Sequence, residues 1–164
     1  LSQILGQKVF PFQTINFYRG SEQRPHSDHI HMATYPPGNL IAVWIAMEDT
    51  NAENGPLSYY PGSHKLPYIT NKDFVHGGSM LRIGKFANAR YEDYIEKQIQ
   101  QQQLKKELFF AKKGDIFIWH PNLLHGGEPI REKEQTRKSM VVHYFAEDVI
   151  KYHELTQRPV LIGN

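Results

Sequence analysis

The stretch GDIFIWHPNLLHGG, residues 114–127, decides how this chain is expected to fold. It opens on a turn glycine, continues through four β-branched or aromatic residues, and ends in a histidine followed by two glycines. Because β-branched and aromatic side chains pack well on a pleated surface, the middle of the stretch predicts a buried strand. His125 then lies at the exit of that strand, where a metal ligand would be placed.

Turn-forming residues divide the rest of the chain into short segments of the same kind. Glycine and proline cluster at intervals, for example at residues 36–38 and 61–62. The Asn54-Gly55 pair predicts a hairpin turn, because both residues tolerate positive φ. The apolar segments between these turns predict strands at residues 13–18, 40–47, 57–60, 115–120 and 136–145.

Residues 91–108 carry the one convincing helical pattern. Tyr91, Ile95 and Ile99 recur at the spacing of one helix face within an otherwise polar stretch. A parallel α/β sheet would need a helix between successive strands, which the pattern does not supply. The sequence therefore predicts a mostly β double-sheet barrel or jelly roll, cupin-like in outline, with one long helix inserted near residues 91–108.

Composition limits the classes of function. The 164 residues suit a single domain, residues 1–164. The net charge is only +2, and acidic and basic residues are interspersed along the chain, so no nucleic-acid surface is indicated. With no cysteine, any metal must be held by nitrogen and oxygen. The longest apolar run, residues 40–47, is too short for a membrane span, and no signal-peptide pattern precedes it. A cytoplasmic protein with a small-molecule partner is expected, and its first residue, leucine, leaves truncation open.

His26-Ser27-Asp28 is the first metal-binding candidate. In an extended backbone, residues two apart project to the same side, so one imidazole and one carboxylate can converge. A second imidazole from a distant strand would complete a set of two histidines and one carboxylate, which leaves three positions open on octahedral Fe(II). The alternative for such a short motif is a hydrogen-bonded surface turn.

Arg137 and Ser139 share a strand face by parity with Val141 and His143. An arginine that points into a β core needs an anion, and its planar fork can bind a carboxylate through two hydrogen bonds with a hydroxyl donor beside it. Two alternatives stay open: a pair with an acidic side chain of the protein, or an arginine that extends to water.

The ordered set of segments resembles the phytanoyl-CoA dioxygenase family of Fe(II)- and 2-oxoglutarate-dependent oxygenases, especially its small bacterial members. Order and spacing agree from about residue 10 to 146. The resemblance rests on Gln23-Arg24-Pro25-His26-Ser27-Asp28, Val43-Trp44-Ile45-Ala46-Met47-Glu48-Asp49, Glu53-Asn54-Gly55-Pro56-Leu57, Pro61-Gly62-Ser63-His64, Lys113-Gly114-Asp115, His125-Gly126-Gly127 and Thr136-Arg137-Lys138-Ser139.

The resemblance implies a double-stranded β-helix with His26, Asp28 and His125 as iron ligands. It also implies that Arg137 binds the co-substrate 2-oxoglutarate and that Trp44 lines the co-substrate pocket. Some members have serine where this chain has Gly127, so that contact is missing here and Ser139 gains importance. Most of the helical region that family members carry before the matched portion is absent from the sequence.

The expected function is a dioxygenase that uses Fe(II), 2-oxoglutarate and O₂ to hydroxylate an unactivated C–H bond of a small organic substrate, with release of succinate and CO₂. Halogenating relatives replace the carboxylate ligand with a small residue, so the retained Asp28 disfavours halogenation. The alternatives are a cupin-type metal-binding barrel that acts as an isomerase or a non-catalytic ligand-binding protein. The Arg137 clamp distinguishes them, because a simple cupin does not need it.

Other histidines compete for a place in the site. His29 and His31 face away from His26 and Asp28 if the strand is regular. His120 is expected to pack or to hydrogen-bond behind the ligands. His143 is the rival of His125, because it shares the inward face with Arg137.

Overall fold

Antiparallel sheets dominate the computed structural model, which describes residues 1–74 and 87–160. The predicted mostly β fold, a double-stranded β-helix, is confirmed. Its strands are β1 Val9–Phe17, β2 Ala33–Tyr35, β3 Leu40–Ala46, β4 Leu57–Tyr59, β5 Glu107–Phe109, β6 Ile116–Trp119, β7 His125–Gly127, β8 Ser139–Ala146, β9 Ile150–His153 and β10 Arg158–Pro159. Its helices are α1 Ser2–Leu5, α2 Asn71–Phe74 and α3 Ala87–Gln101, with 3-10 turns at Asp28–Ile30 and Ser63–Lys65.

The largest sheet has the order β1-β8-β3-β6. Strand β8 is central, and its register sets which residues point inward: Val141 pairs with Trp44 of β3 and with Ile15 of β1. Because side chains alternate across a strand, Ser139 and His143 share the inward face with Val141. Every predicted strand overlaps an observed one, and β3 is buried over nearly its whole length, as its apolar sequence predicts.

A second sheet, of order β5-β4-β7, faces the first. Its Leu57 packs with Trp44, Val141 and Trp119 in one buried apolar cluster. The third sheet, of order β10-β9-β2, follows the end of β8 in the chain. Strand β8 therefore begins near Arg137, and its C-terminal end leads into this third sheet.

The helix is shorter than the predicted 91–108. It spans Ala87–Gln101, and Gln103 takes a left-handed conformation with φ 51° that ends it. Leu108 lies instead in β5, which pairs with β4. Tertiary pairing of this strand therefore overrides the helical spacing of the apolar residues at this point. Within the described ranges, no helix is long and apolar enough to cross a membrane.

The hairpin predicted at Asn54-Gly55 is wrong. Strand β3 pairs with β6 and β8, whereas β4 pairs with β5 and β7, so the turn connects two sheets. Gly55 does adopt positive φ, at 74°, and an added Cβ would meet Glu128 O at 2.8 Å. The Asn54 side chain instead donates to Asp49 O and Thr136 O, both at 3.1 Å, which fixes the crossing.

Candidate metal centre

Main-chain hydrogen bonds join the two histidines of the site. His26 N donates to His125 O at 2.9 Å, and His125 N donates to His26 O at 3.0 Å. This isolated antiparallel bridge brings the two ring centroids to 4.5 Å. Residues far apart in sequence are therefore placed side by side by the backbone itself.

The backbone around Asp28 is only partly extended. Ser27 is extended, with φ −113° and ψ 145°, but the 3-10 turn begins at Asp28. Because only the step from His26 to Asp28 must be extended for their side chains to converge, the pair still meets. The turn then redirects the residues that follow.

This redirection corrects one expectation about the neighbouring histidines. His29 packs against the Tyr68 ring at 4.5 Å between centroids. His31 does not face away: it lines the same cavity as His26 and Asp28. The expectation assumed a regular strand, which the 3-10 turn interrupts.

Helix α3 holds the segment that carries His26 and Asp28. The Tyr91 hydroxyl accepts the Ser27 N–H at 2.8 Å, and it lies 3.0 Å from Ser27 Oγ. Burial raises the pKa of Tyr91 to about 12, so this hydroxyl stays protonated at neutral pH. On the other side, the Arg24 guanidinium donates at 2.8–3.0 Å to three acids of α3, Glu92, Asp93 and Glu96.

The spacing of the three candidate ligands suits one metal ion. Asp28 Oδ1 lies 4.0 Å from His26 Nε2 and 3.6 Å from His125 Nε2, and all three side chains are buried. Metal–ligand bonds of about 2.1 Å place two ligand atoms on one ion at most about 4.2 Å apart. His26, Asp28 and His125 thus form a group within reach of a single ion.

Each imidazole is oriented by a backbone carbonyl. His26 Nδ1 lies 2.9 Å from Arg24 O, and His125 Nδ1 lies 2.9 Å from Leu123 O. Because a carbonyl only accepts, each Nδ1 must carry the proton, which leaves the Nε2 lone pair free for a metal. Burial and the neighbouring His125 lower the pKa of His26 to about 3, so it is neutral at pH 7.

The second oxygen of Asp28 has a partner of its own. Trp119 Nε1 donates to Asp28 Oδ2 at 2.7 Å, which leaves Oδ1 to face the histidines. Burial acts to raise the pKa of Asp28, but the imidazoles of His125 and His143 outweigh it and the net pKa is lowered. Sequence reasoning missed Trp119, although a buried indole N–H that needs an acceptor could have indicated it.

Replacing Trp119 with phenylalanine is expected to weaken Fe(II) binding about 10- to 100-fold, because partners behind a metal ligand typically contribute that much. The ring still fills most of the space, but Asp28 Oδ2 loses its donor. Anaerobic competition with a chromophoric chelator measures the change. Phe117→Leu, which alters packing on the same strand face, is the matched control. Unchanged affinity in a folded Trp119→Phe protein would contradict this role.

His143, the rival ligand, lies beside the group of three. Its Nε2 is 3.6 Å from Asp28 Oδ2, the oxygen that Trp119 already holds. Its Nδ1 is buried and has no hydrogen-bond partner among the described residues. His26 Nε2 and His125 Nε2 therefore face Asp28 Oδ1, and the three residues form the candidate ligand group. His143 lies on the other side of the Asp28 carboxylate, beside Oδ2.

Arg137 is almost fully buried, with 1% of its surface exposed. In the part of the chain that the structure describes, its Nε and Nη1 have no hydrogen-bond partner and no acidic residue forms a salt bridge with it. Burial lowers the pKa of Arg137 to about 10, so the side chain is still charged at neutral pH. Both alternatives, a protein acid and access to water, therefore fail within residues 1–74 and 87–160, and a buried cation is left without an anion.

Two further predicted residues accompany Arg137. The Arg137 guanidinium lies 5.8 Å from the centre of the Trp44 ring. Trp44 Nε1 and Ser139 Oγ are both buried and unpaired among the described residues. Trp44 lines the cavity, whereas Ser139 is not among its lining residues.

One cavity of about 460 Å³ connects these groups. Its volume falls in the range of small-molecule sites. It contains the three candidate metal ligands and Arg137, and its other walls are Phe12, Gln13, Ile15, Phe17, Ser21, Gln23, His31, Met32, Trp44, Leu57, Trp119, Gly126, Val141, His143, His153 and Val160.

Ser21 is a second residue that sequence reasoning missed. A Cβ built on Gly127 would lie 2.8 Å from Ser21 Oγ and 3.1 Å from Glu22 N. A side chain at residue 127 would therefore collide with the segment that carries Ser21. The Ser21 hydroxyl lies close to where a serine at 127 would place its own.

Comparison with known proteins explains this arrangement. The family model for phytanoyl-CoA dioxygenase (PhyH) matches residues 1–139. The chain belongs to the phytanoyl-CoA dioxygenase family. This phytanoyl-CoA dioxygenase family member is 29% identical over 140 residues to a phytanoyl-CoA dioxygenase domain-containing protein 1 homolog of Caenorhabditis elegans, with 82% of this chain and 44% of that protein covered.

A phytanoyl-CoA dioxygenase domain-containing protein 1 of Danio rerio is 47% identical over 106 residues, with 65% of this chain and 33% of the relative covered. The family member described here spans less than half the length of these relatives. Its sequence similarity to them agrees with the family model.

Solved structures share the fold. The epimerase SnoN in complex with Fe3+, alpha ketoglutarate and nogalamycin RO has a TM-score of 0.64 at 19% identity, and covers 98% of this chain and 57% of its own. The alpha ketoglutarate dependent carbocyclase SnoK has a TM-score of 0.67 at 18% identity with the same coverage. EctD from S. alaskensis with bound Fe has a TM-score of 0.59 at 19% identity, and covers 88% of this chain and 47% of its own.

Proposed function

We propose that this chain is an Fe(II)- and 2-oxoglutarate-dependent dioxygenase that hydroxylates an unactivated C–H bond of a small organic substrate. One observation carries the proposal: Arg137, buried, charged and without a partner among the described residues, opens onto the same cavity as the His26, Asp28 and His125 group. A buried cation without a partner is costly, so its retention indicates an anionic ligand.

The donor set fits Fe(II). Two neutral imidazole nitrogens and one carboxylate oxygen are the ligands of the non-haem iron oxygenases, and they leave positions open for other ligands. His26 and His125 are fixed in the tautomer that presents Nε2, and Trp119 holds the non-ligating oxygen of Asp28. Bound iron would supply the activation of O₂ at this position.

Arg137 fits the far carboxylate of 2-oxoglutarate. Its planar guanidinium can donate two parallel hydrogen bonds to a carboxylate, the geometry in which arginine binds carboxylates most strongly, and its Nε and Nη1 have no partner among the described residues. Trp44 lies along the guanidinium and offers its unpaired Nε1 as a further donor. Ser21, whose hydroxyl lies near Gly127, also lines the cavity.

The overall reaction balances as substrate C–H plus O₂ plus 2-oxoglutarate giving substrate C–OH plus succinate plus CO₂. One oxygen atom enters the product and the other enters succinate. The protein's residues bind and orient the reactants, and apolar walls such as Ile15, Leu57 and Val141 keep water away from them.

Hydroxylation is one of several outcomes known in this fold, since SnoN is described as an epimerase and SnoK as a carbocyclase. The retained Asp28 supports oxygen transfer over halogenation, because it occupies the position that a halide would need. The mass of the product distinguishes hydroxylation from epimerisation. Hydroxylation adds one oxygen derived from ¹⁸O₂, whereas epimerisation leaves the mass unchanged.

An anaerobic titration tests the cofactor assignment. Adding Fe(II) and then 2-oxoglutarate to the protein is expected to produce the weak visible charge-transfer band of the chelate. His26→Ala should abolish the band, because it removes a ligand whose Nε2 faces the ion. His64→Ala, whose imidazole does not line the cavity, should leave the band intact. Absence of the band in the intact protein, or its persistence in His26→Ala, would overturn the assignment.

A further inference from the structure

The cavity has two ends, which the position of β8 defines. Arg137 lies two residues before the start of β8, and His143 lies six residues further along, 3.6 Å from Asp28 Oδ2. Beyond His143 the chain leaves β8 and forms β9, which pairs with β2. The candidate metal group therefore lies between the Arg137 end and an end formed by the third sheet.

The end at the third sheet is not used by the proposed co-substrate. Four lining residues belong to the third sheet or adjoin it in the chain, namely His31, Met32, His153 and Val160, and a fifth, Phe12, packs on Phe145 near the end of β8. Three of these five are apolar, and the other two are imidazoles whose centroids lie 5.5 Å apart at an interplanar angle of 65°. This end suits a carbon frame that carries a small polar group.

The two imidazoles offer complementary hydrogen-bonding groups. His153 Nδ1 accepts the Thr156 N–H at 3.3 Å, so the neutral ring carries its proton on Nε2 and presents a donor. The His31 ring has no hydrogen-bond partner among residues 1–74 and 87–160, so one of its nitrogens can accept. A hydroxyl group, which both donates and accepts, matches this pair.

Formal charge is absent from this end. Among the described residues that line the cavity, Asp28 and Arg137 are the ones with a permanent charge, and both belong to the site already described. Burial lowers the pKa of His153, which keeps that ring neutral near pH 7. An anionic group placed here would lose its hydration without gaining a cation.

We propose that the His31–His153 pair is the substrate subsite and that it binds the hydroxyl group of an uncharged, largely hydrocarbon alcohol. The inference rests on the proposed function, since it identifies the substrate class for that cavity. It excludes substrates whose recognition group at this end is a carboxylate or a phosphate.

Matched eight-carbon probes test the proposal. Calorimetric titration of 1-octanol, octanoate and octylammonium into the anaerobic protein loaded with Fe(II) and 2-oxoglutarate compares a neutral head with two charged ones. We expect 1-octanol to bind at least about tenfold more tightly than octanoate. Equal or tighter binding of octanoate would overturn the inference.

Variants locate the effect. His31→Phe and His153→Phe keep an aromatic ring but remove its hydrogen-bonding atoms, and each should weaken 1-octanol binding about tenfold. His31→Lys should reverse the preference in favour of octanoate. His64→Phe removes an imidazole outside the cavity and is the control. His153→Asn, whose Oδ1 can still accept the Thr156 N–H while the Nε2 donor is lost, replaces His153→Phe if that protein is unstable.

The outcome separates this inference from the proposed function. A charge-transfer band with 2-oxoglutarate, together with 1-octanol affinity unchanged in His31→Phe and His153→Phe, would overturn the subsite alone. The opposite case has its own result: selective 1-octanol binding to the metal-free protein, together with no band after Fe(II) and 2-oxoglutarate are added, would overturn the oxygenase and leave an alcohol-binding barrel.

Discussion

Replacing Arg137 with methionine is expected to weaken 2-oxoglutarate binding by about 150- to 5,000-fold, because truncating one partner of a buried, hydrogen-bonded charge pair typically costs about 3–5 kcal/mol. The same substitution should leave the ligand-free protein as stable as before, or more stable. In the absence of an anion, Arg137 is a buried charge whose Nε and Nη1 find no partner in residues 1–74 and 87–160, and an apolar side chain of similar length removes that penalty.

Two measurements check this expectation. The concentration dependence of the chelate band gives the dissociation constant of 2-oxoglutarate, and thermal unfolding without ligand gives the stability. Lys138→Met is the matched control, because Lys138 is the adjacent cation and its side chain is 49% exposed. If Arg137→Met bound 2-oxoglutarate like the unaltered protein, the clamp would be assigned to the wrong residue.

Removing Asp28 or His125 is expected to lower Fe(II) affinity by more than about 100-fold, which exceeds the effect typical of residues behind the ligands. Asp28 Oδ1 faces the Nε2 atoms of both His26 and His125, so each substitution leaves two donors instead of three. His143→Ala should retain most of the affinity, because His143 faces the oxygen that Trp119 holds.

Anaerobic calorimetry with Fe(II) on Asp28→Ala, His125→Ala and His143→Ala gives the comparison directly. Circular dichroism verifies that each variant is folded. Strong loss in His143→Ala with retention in His125→Ala would reverse the ligand assignment between the two histidines.

The main strands were predictable because their sequences are dense in β-branched and aromatic residues. Strand β3 and the stretch that contains β6 are examples in which local composition and long-range pairing agree. The short strands β5 and β7 were not predicted, since three residues carry no usable period. Their pairing with β4 is decided by tertiary contacts, and this is also why the end of the helix was misplaced.

The candidate site was predictable as a set of residue types and only partly as geometry. The alternation of side chains along an extended backbone predicted that His26 and Asp28 converge. It could not predict the 3-10 turn at Asp28–Ile30, after which His31 also lines the cavity. The bond from Trp119 to Asp28 joins residues 91 positions apart, so no local pattern indicates it. Arg137 was found because an arginine that a strand pattern predicts to point inward is rare enough to require a reason.

The contacts between α3 and residues 24–28 have a consequence for how the protein opens. Arg24 and Ser27 lie on either side of His26, and both are held by side chains of one helix. Undocking of α3 would release both anchors at once and free the strand segment between them. Partial unfolding of the helix and disassembly of the ligand set are therefore coupled as a single cooperative unit, so the site is lost as a whole rather than residue by residue.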